Sequence, residues 1–76
     1  NNFSIAPNPS SENTKISWSS NTNSLLVTDV AGRFLLNENV SSLHQFIINQ
    51  ILNSGIYFVQ LIDDNGNLFS KKLVIK

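Results

Sequence analysis

Cysteine is absent from this chain, and charged side chains are scarce. Without cysteine there is neither a disulfide framework nor a thiolate metal site, so apolar packing must stabilise the fold. Five basic residues balance five acidic ones among the 76 residues. This balance leaves no broad electrostatic footprint for nucleic acid or for an anionic membrane. The sequence therefore predicts no nucleic-acid partner.

Long apolar runs are also missing. No stretch approaches the roughly 20 residues that a membrane-spanning helix needs, and Asn1-Asn2-Phe3 lacks the pattern of a signal peptide. We therefore expect no membrane span, and we expect any export leader to lie on a segment that precedes this one. The length suffices for one small domain. Twelve Asn and eleven Ser dominate the polar positions, a composition common on secreted proteins.

Histidine occurs once. His44 has no Cys, Asp or Glu within three positions, so neither a metal site nor a catalytic pair can be assembled around it locally. Asp63 and Asp64 lie beside two asparagines, but the stretch lacks the ligand spacing and the closing Glu of an EF-hand. It is better explained as a hairpin loop. We expect no enzyme, no metal site and no cofactor.

Short runs rich in Ile, Val, Leu, Phe and Thr recur about every eight to twelve residues, separated by Asn, Gly, Ser and Pro, which is typical of an all-β sandwich or barrel. The pattern predicts seven strands: Asn2 to Ile5, Lys15 to Ser19, Leu25 to Val30, Arg33 to Asn37, His44 to Ile48, Gly55 to Asp63 and Asn67 to Ile75. Asn65-Gly66 predicts an antiparallel hairpin between the last two strands, because this pair tolerates positive φ. Leu43 to Leu52 could instead form one or two helical turns.

The sixth predicted strand is apolar on both faces. One face carries Tyr57, Val59 and Leu61, and the other carries Ile56, Phe58 and Ile62, interrupted by Gln60. Such a strand is either covered on both sides or part of an exposed apolar patch. Gly55 is expected at a loop exit where a side chain would crowd the backbone. Trp18 and Tyr57 are expected in the core rather than on a sugar-binding platform.

Prolines flank one residue near the start of the chain. In Pro7-Asn8-Pro9 each proline fixes φ and removes a donor, and the residue before a proline is pushed towards extended geometry. Asn8 is therefore constrained from both sides. Alone, the tripeptide indicates a stiff end to an edge strand.

Four segments together resemble a known family: Phe3 to Pro9, Asp29 to Arg33, Leu52 to Val59 and Lys71 to Lys76. Taken together, in this order and across nearly the whole chain, they resemble the C-terminal sorting domain of type IX secretion substrates (type A, the Por secretion system family). This domain is appended to large exported proteins of Bacteroidetes-type bacteria. The resemblance implies an immunoglobulin-like or fibronectin III-like antiparallel β-sandwich of seven strands. Residues 1–76 are then a single sorting domain from a larger exported protein.

The resemblance also implies a function and a set of site residues. Such a domain directs its N-terminal cargo from the periplasm through the outer-membrane translocon, and a sortase-like peptidase commonly removes it, leaving the cargo secreted or at the cell surface. The residues that match the family's recognition motifs are Pro7, Asn8 and Pro9, then Gly55 and Tyr57, then Lys71, Lys72, Leu73, Val74 and Lys76. Gln60 departs from the pattern, because many members carry a basic residue there.

The last predicted strand suggests where contact occurs. Lys71 and Lys72 project to opposite faces, so only Lys72 shares a face with Lys76. We expect Lys72, Val74 and Lys76 to form part of the contact, with Ile56 or Phe58 beside them. Alternatively, the lysines guard an edge strand against aggregation, and the edge strands could support self-association.

A second class of function stays open at this point. A carbohydrate-binding or adhesive β-sandwich attached to an extracellular enzyme would need two or three coplanar exposed aromatics, or a polar cleft. A sorting domain would need an ordered and accessible final strand. The sequence favours the sorting domain.

Overall fold

The computed structural model describes residues 3–9, 13–49 and 52–76, and these residues form strands without a helix. The strands are β1 (Phe3–Ala6), β2 (Thr14–Trp18), β3 (Thr22–Asp29), β4 (Phe34–Asn39), β5 (Gln45–Ile48), β6 (Gly55–Asp63) and β7 (Leu68–Ile75). All seven predicted strands are confirmed. The largest difference is at the start of β3, predicted at Leu25 and observed at Thr22. Asn2, where the first predicted strand begins, lies outside the described residues.

The strands form two antiparallel sheets. The first contains β1, β2 and β5 in spatial order β1-β2-β5, and the second has the order β4-β3-β6-β7. This arrangement confirms the predicted small β-sandwich. Because β4 lies beside β3, the strand order differs from that of a constant immunoglobulin domain, whose fourth strand joins the first sheet.

The core lies between the sheets and is built by alternation along the strands. In β2 the side chains of Thr14, Ile16 and Trp18 are buried, while Lys15 between them is exposed. The buried apolar residues are Phe3, Ile16, Trp18, Leu25, Val27, Val40, Ile48, Tyr57, Val59, Leu61, Leu73 and Ile75. Trp18 and Tyr57 are thus confirmed as core residues. The indole N–H of Trp18 donates to the Leu43 carbonyl at 3.0 Å, so its one polar group is satisfied.

The segment for which helical turns were an alternative is a strand over Gln45–Ile48. It pairs with β2, placing Phe46 opposite Ile16. Ile48 is buried and Ile47 is 49% exposed, which is the two-residue period of a strand. Gln50 and Ile51, which also belong to the possible helical segment from Leu43 to Leu52, lie outside the described residues.

Both hairpins of the four-stranded sheet close with the same turn chemistry. In each, the backbone N–H of an Asp donates to the carbonyl of the residue four positions later, where the next strand is about to begin. The pairs are Asp29 with Arg33 and Asp63 with Asn67. One carboxylate oxygen of Asp29 accepts the N–H groups of Ala31 and Arg33 at 2.9 and 3.0 Å. Such a turn replaces backbone partners with a side-chain acceptor.

The second turn repeats these bonds. One carboxylate oxygen of Asp63 accepts the N–H groups of Asn65 and Asn67 at 2.9 and 2.8 Å. Gly66 has φ of 84°, so it supplies the left-handed residue of a three-residue hairpin loop. The hairpin predicted from Asn65-Gly66 is confirmed, but Asn65 is not the residue with positive φ.

These bonds alter the acidity of both turn carboxyls. The pKa of Asp29 is lowered, chiefly because its carboxylate accepts the Arg33 backbone N–H, and the Arg33 guanidinium adds to the effect. The pKa of Asp63 is lowered chiefly by the Asn67 backbone N–H. In both turns, hydrogen bonds to the ionised form outweigh the opposing effect of desolvation.

Candidate functional site

The first and last of the motif segments meet in space. β1 is an edge strand of the three-stranded sheet, and β7 is an edge strand of the four-stranded sheet. Pro7-Asn8-Pro9 follows the end of β1, with the peptide bonds before both prolines cis. The Asn8 side-chain N–H donates to the Lys72 carbonyl at 3.1 Å. Its oxygen accepts the Val74 N–H at 3.0 Å. Residues 64 positions apart are thereby joined.

The two Asn8 bonds also establish which way β7 faces. Because the Lys72 carbonyl and the Val74 N–H reach Asn8, they point away from β6. The ladder of β7 with β6 is therefore made by the alternate residues, such as Leu73. Pro7-Asn8-Pro9 thus does more than end β1, since its central side chain covers part of the free edge of β7.

The outer side of β6 and β7 brings together the residues expected to make contact. Phe58 lies opposite Lys72 and Ile56 lies opposite Val74 in the antiparallel register. We call these four residues the outer patch. Ile56 is 43% exposed, Phe58 and Val74 are half-buried, and Lys72 is exposed. Lys76 follows the strand and is exposed as well. The second apolar face of β6 is therefore partly open to solvent rather than covered.

The apolar character of this face extends beyond the residues singled out from the sequence. Phe34 of β4 pairs with Thr28 of β3, which in turn pairs with Phe58. Phe34 is 67% exposed, and Leu68, at the start of β7, is 58% exposed. Sequence reasoning missed Phe34 because the strand order was needed to place β4 on this sheet. It placed Leu68 on the same face as Lys72 and Val74 but did not name it among the contact residues.

Two of the motif residues are buried beneath the patch. Tyr57 is 8% exposed and Leu73 is fully buried, and they lie opposite each other in the ladder. The Tyr57 hydroxyl donates to the Asn53 carbonyl at 2.6 Å. A tyrosine near the start of the sixth strand that bonds to the backbone just upstream is the tyrosine corner of immunoglobulin-like sandwiches. These side chains hold β6 and β7 in place.

Gly55, at the start of β6, owes its identity to backbone conformation. Its φ is +156°, which residues with side chains rarely adopt, and an added Cβ would meet only the Tyr57 ring, at 4.0 Å. That distance is an ordinary van der Waals contact. The expectation that a side chain would crowd the backbone here is therefore wrong.

The paired lysines lie in different surroundings, as their alternation predicted. The Lys71 ammonium lies over the Phe3 ring, 5.6 Å from its centroid, which is a cation–π geometry. Lys72 is on the other face, within the outer patch. In the described part of the chain, the Arg33 Nε atom lies 2.8 Å from a carboxylate oxygen of Asp29 and forms an ion pair with it. No carboxylate of the described residues pairs with Lys71 or Lys72.

Comparison of the sequence with models of known protein families identifies the family of this chain. A family model described as a secretion system C-terminal sorting domain matches residues 4–76. The chain belongs to this family. The family is the C-terminal sorting signal of the type IX secretion system, so the function expected from the four segments is confirmed. No curated protein matched the chain.

Membership of the sorting-domain family carries further statements. A sorting signal implies a linked N-terminal cargo and the type IX machinery as its context, and it implies a protein that is exported and secreted or at the cell surface. Sorting domains are not a family of catalysts. Among the described residues of this sorting domain, no helix is long and apolar enough to cross a membrane.

The carbohydrate-binding alternative finds no support. Trp18 and Tyr57 are buried and cannot form an exposed aromatic platform. A polar cleft beside Asn21, Ser42 and Asp64 has a volume of about 190 Å³. This is smaller than the roughly 300 Å³ at which ligand sites usually begin. A larger cleft of about 360 Å³ is lined by Phe3, Trp18 and serines, but both of its aromatic rings are buried.

Proposed function

We propose that this domain is the removable end of a larger exported protein. It takes its cargo from the periplasm to the outer-membrane translocon and is then cut off by a sortase-like peptidase, leaving the cargo secreted or on the cell surface. The domain itself performs no chemistry and needs no cofactor. Support comes from the family match over residues 4–76 and from the strand topology, in which the last motif forms an ordered edge strand.

The recognition surface in this proposal is the outer patch with Lys76 and the adjoining Pro7-Asn8-Pro9. The observation that carries it is the Asn8 bridge to Lys72 and Val74. This bridge makes one continuous surface from the first and the last motif. A translocon that accepts unrelated cargoes needs a folded surface common to all of them, and an edge strand supplies one.

The composition of the patch suits protein recognition. Ile56, Phe58 and Val74 offer apolar area on a sheet whose opposite side is anchored in the core, so little flexibility is lost on binding. The cations of Lys72 and Lys76 lie at the margin of this area. Apolar centres with polar margins are the usual anatomy of protein interfaces.

Tyr57, Leu73 and Gly55 have a supporting role in the proposal. Two are buried, and the third sets the backbone at the start of β6. They act by fixing the position of the outer patch. Lys71 is likewise assigned a role in packing against Phe3, on the opposite side of β7 from the contact.

The experiment compares Lys72 and Lys76, which lie on the side of the outer patch, with Lys71 on the opposite side of β7. A reporter protein carrying this domain at its C-terminus is expressed in a bacterium with a type IX system, with Lys72→Glu and Lys76→Glu together, or with Lys71→Glu as the matched control. We expect the outward pair to lower export by at least about tenfold, which corresponds to about 1.4 kcal/mol of lost binding, with cargo accumulating in the periplasm. Lys71→Glu should export close to normally.

Thermal unfolding of each purified fusion separates recognition from folding. If Lys72→Glu with Lys76→Glu unfolds like the unaltered domain and is still exported normally, the outer patch is not the contact. The lysines would then act as guards of an edge strand, which is a common use of lysine.

A further inference from the structure

The free edge of β7 already has an occupant, the side-chain amide of Asn8. This amide donates to the carbonyl of Lys72 and accepts the N–H of Val74. In a parallel ladder a residue of the neighbouring strand makes the same two bonds, to residues that lie on either side of the one it faces. Asn8 therefore stands in for one residue of a neighbouring strand beside Leu73.

The remainder of that edge is open. Backbone groups alternate in direction along a strand, so Leu68 and Ser70 turn theirs to the same side as Lys72 and Val74. Within residues 3–9, 13–49 and 52–76, these outward groups of Leu68 and Ser70 have no hydrogen-bond partner. An edge with unpaired N–H and C=O groups is a template for pairing with another chain.

Charge selects among the chains that could pair there. The segment from Lys71 to Lys76 carries three cations and no carboxylate, and in the described residues none of the three forms an ion pair. A second copy of β7 would bring further lysines to this edge, and like charges on neighbouring strands are destabilising. A strand with carboxylates would instead gain cross-strand ion pairs.

We infer that the β7 edge binds an extended acidic segment of a partner as a fifth strand of the sheet, and that Asn8 gates this edge. The partner strand takes over the Lys72 carbonyl and the Val74 N–H only after the Asn8 amide has left them. The inference rests on the proposed function, since it names the chemistry of the partner that reads the last strand. The Asn8 bridge joins the first and the last motif in the unbound domain, and the partner strand replaces it on binding. It concerns the edge of β7, whereas the outer patch is a face.

The test uses a synthetic peptide of about ten residues with alternating Val and Glu, long enough to span the 8 residues of β7. The matched peptide has Lys in place of Glu. Binding is titrated against the unaltered chain and Asn8→Ala. We expect Asn8→Ala to bind the Glu peptide roughly five- to hundredfold more tightly, the range that two competing hydrogen bonds commonly represent. Asn37→Ala is the control, because Asn37 is exposed on β4.

A second variant localises the binding. Ser70→Pro removes an N–H that points away from β6, so it blocks strand addition while leaving the ladder to β6 intact. In the unaltered chain the Glu peptide should shift the backbone amide resonances of Leu68 and Ser70. The same peptide should not bind the Ser70→Pro variant. Thermal unfolding establishes that each variant is folded.

Several outcomes would overturn the inference. If the chain binds the Glu and Lys peptides with equal affinity, the inference that the partner is acidic is wrong. If Asn8→Ala and the unaltered chain bind the Glu peptide equally tightly, the inference that Asn8 gates the edge is wrong. A concentration-dependent dimer of Asn8→Ala would make a second copy the occupant. If Asn8→Ala does not fold, undiminished peptide binding by Ser70→Pro contradicts the edge site. Because no secretion is measured, these results stand whether or not the Lys72 and Lys76 variants are exported.

Discussion

The two hairpins of the four-stranded sheet share a turn and differ in their strands. Asp29 and Asp63 hold their turns with equivalent hydrogen bonds, so turn chemistry does not distinguish the hairpins. The β3–β4 hairpin has a register shift between Val27 and Thr28, and every residue of β4 is at least partly exposed. The β6–β7 hairpin pairs without a shift over its full length. The family's last motif lies on the regular hairpin.

The hairpins also protect their free edges by different means. A register shift bends an edge strand and interrupts its pairing surface, which discourages strand addition. β7 has no such irregularity and is covered locally by Asn8 instead. The comparison teaches that an irregularity in the pairing interrupts the β4 edge, whereas a single side chain covers only part of the regular β7 edge.

The largest expected difference between the hairpins is in core anchoring. Leu73→Ala should lower the free energy of unfolding by about 2–5 kcal/mol, because Leu73 is fully buried and its loss leaves a cavity. Leu36→Ala on β4 should cost less, about 1 kcal/mol, because Leu36 is only half-buried. Urea unfolding measures both. Equal losses would show that β4 is anchored as firmly as β7.

Next in size is the tyrosine corner, which the β3–β4 hairpin lacks. Tyr57→Phe removes the hydroxyl that bonds the Asn53 carbonyl, and we expect a loss of about 1–2 kcal/mol. Calorimetry of this variant beside Phe34→Leu, at an exposed position of β4, isolates the effect of the hydroxyl. An unchanged unfolding temperature for Tyr57→Phe would mean that the bond adds nothing to stability.

The two turn aspartates provide a smaller and more direct comparison. Asp63→Ala should lower the free energy of unfolding more than Asp29→Ala does. Asp63 is 5% exposed, so its loss removes the acceptor of two part-buried backbone hydrogen bonds. The ion pair of Asp29 adds little, because its Arg33 side chain is 80% exposed. Chemical denaturation at neutral pH ranks the variants. The reverse ranking would show that the Arg33 ion pair outweighs burial.

The lowered pKa values of Asp29 and Asp63 make the stability of the folded chain depend on pH. Both carboxyls have a lowered pKa in the folded chain, so the folded state favours their ionised forms. Their contribution to stability is therefore complete above the unfolded value of about 3.9 and is lost as pH falls through the lower folded values. Urea midpoints measured from about pH 6 down to about pH 2 should fall less steeply for Asp63→Asn than for the unaltered chain. Parallel curves would contradict this.

The smallest expected effect is at the exposed ring of β4. Phe34→Ser should change the free energy of unfolding by no more than about 0.5 kcal/mol, because the side chain is 67% exposed. Thermal unfolding checks this, with Phe58→Ser, at a half-buried position of the outer patch, as the comparison. A large loss at Phe34 would show that β4 is packed more firmly than its exposure indicates.

The sequence by itself determined the number of strands, their approximate ends, the core tryptophan and tyrosine, and the opposite orientations of Lys71 and Lys72. These follow from a two-residue period and from turn residues, which are local properties of the chain. The family could also be identified from the four motif segments, because they occur in the expected order across nearly the whole chain, and the family match over residues 4–76 confirms this.

Only the tertiary structure decided that Asn8 bonds to β7, that Phe34 shares a face with the outer patch, and that Gly55 is required by its φ. The bridge joins positions 64 residues apart in sequence, and a period of two carries no information at that range. Which strands become neighbours depends on how two sheets bury their apolar faces against each other. The strand order therefore depends on apolar residues distributed along the whole chain, and no single segment determines it.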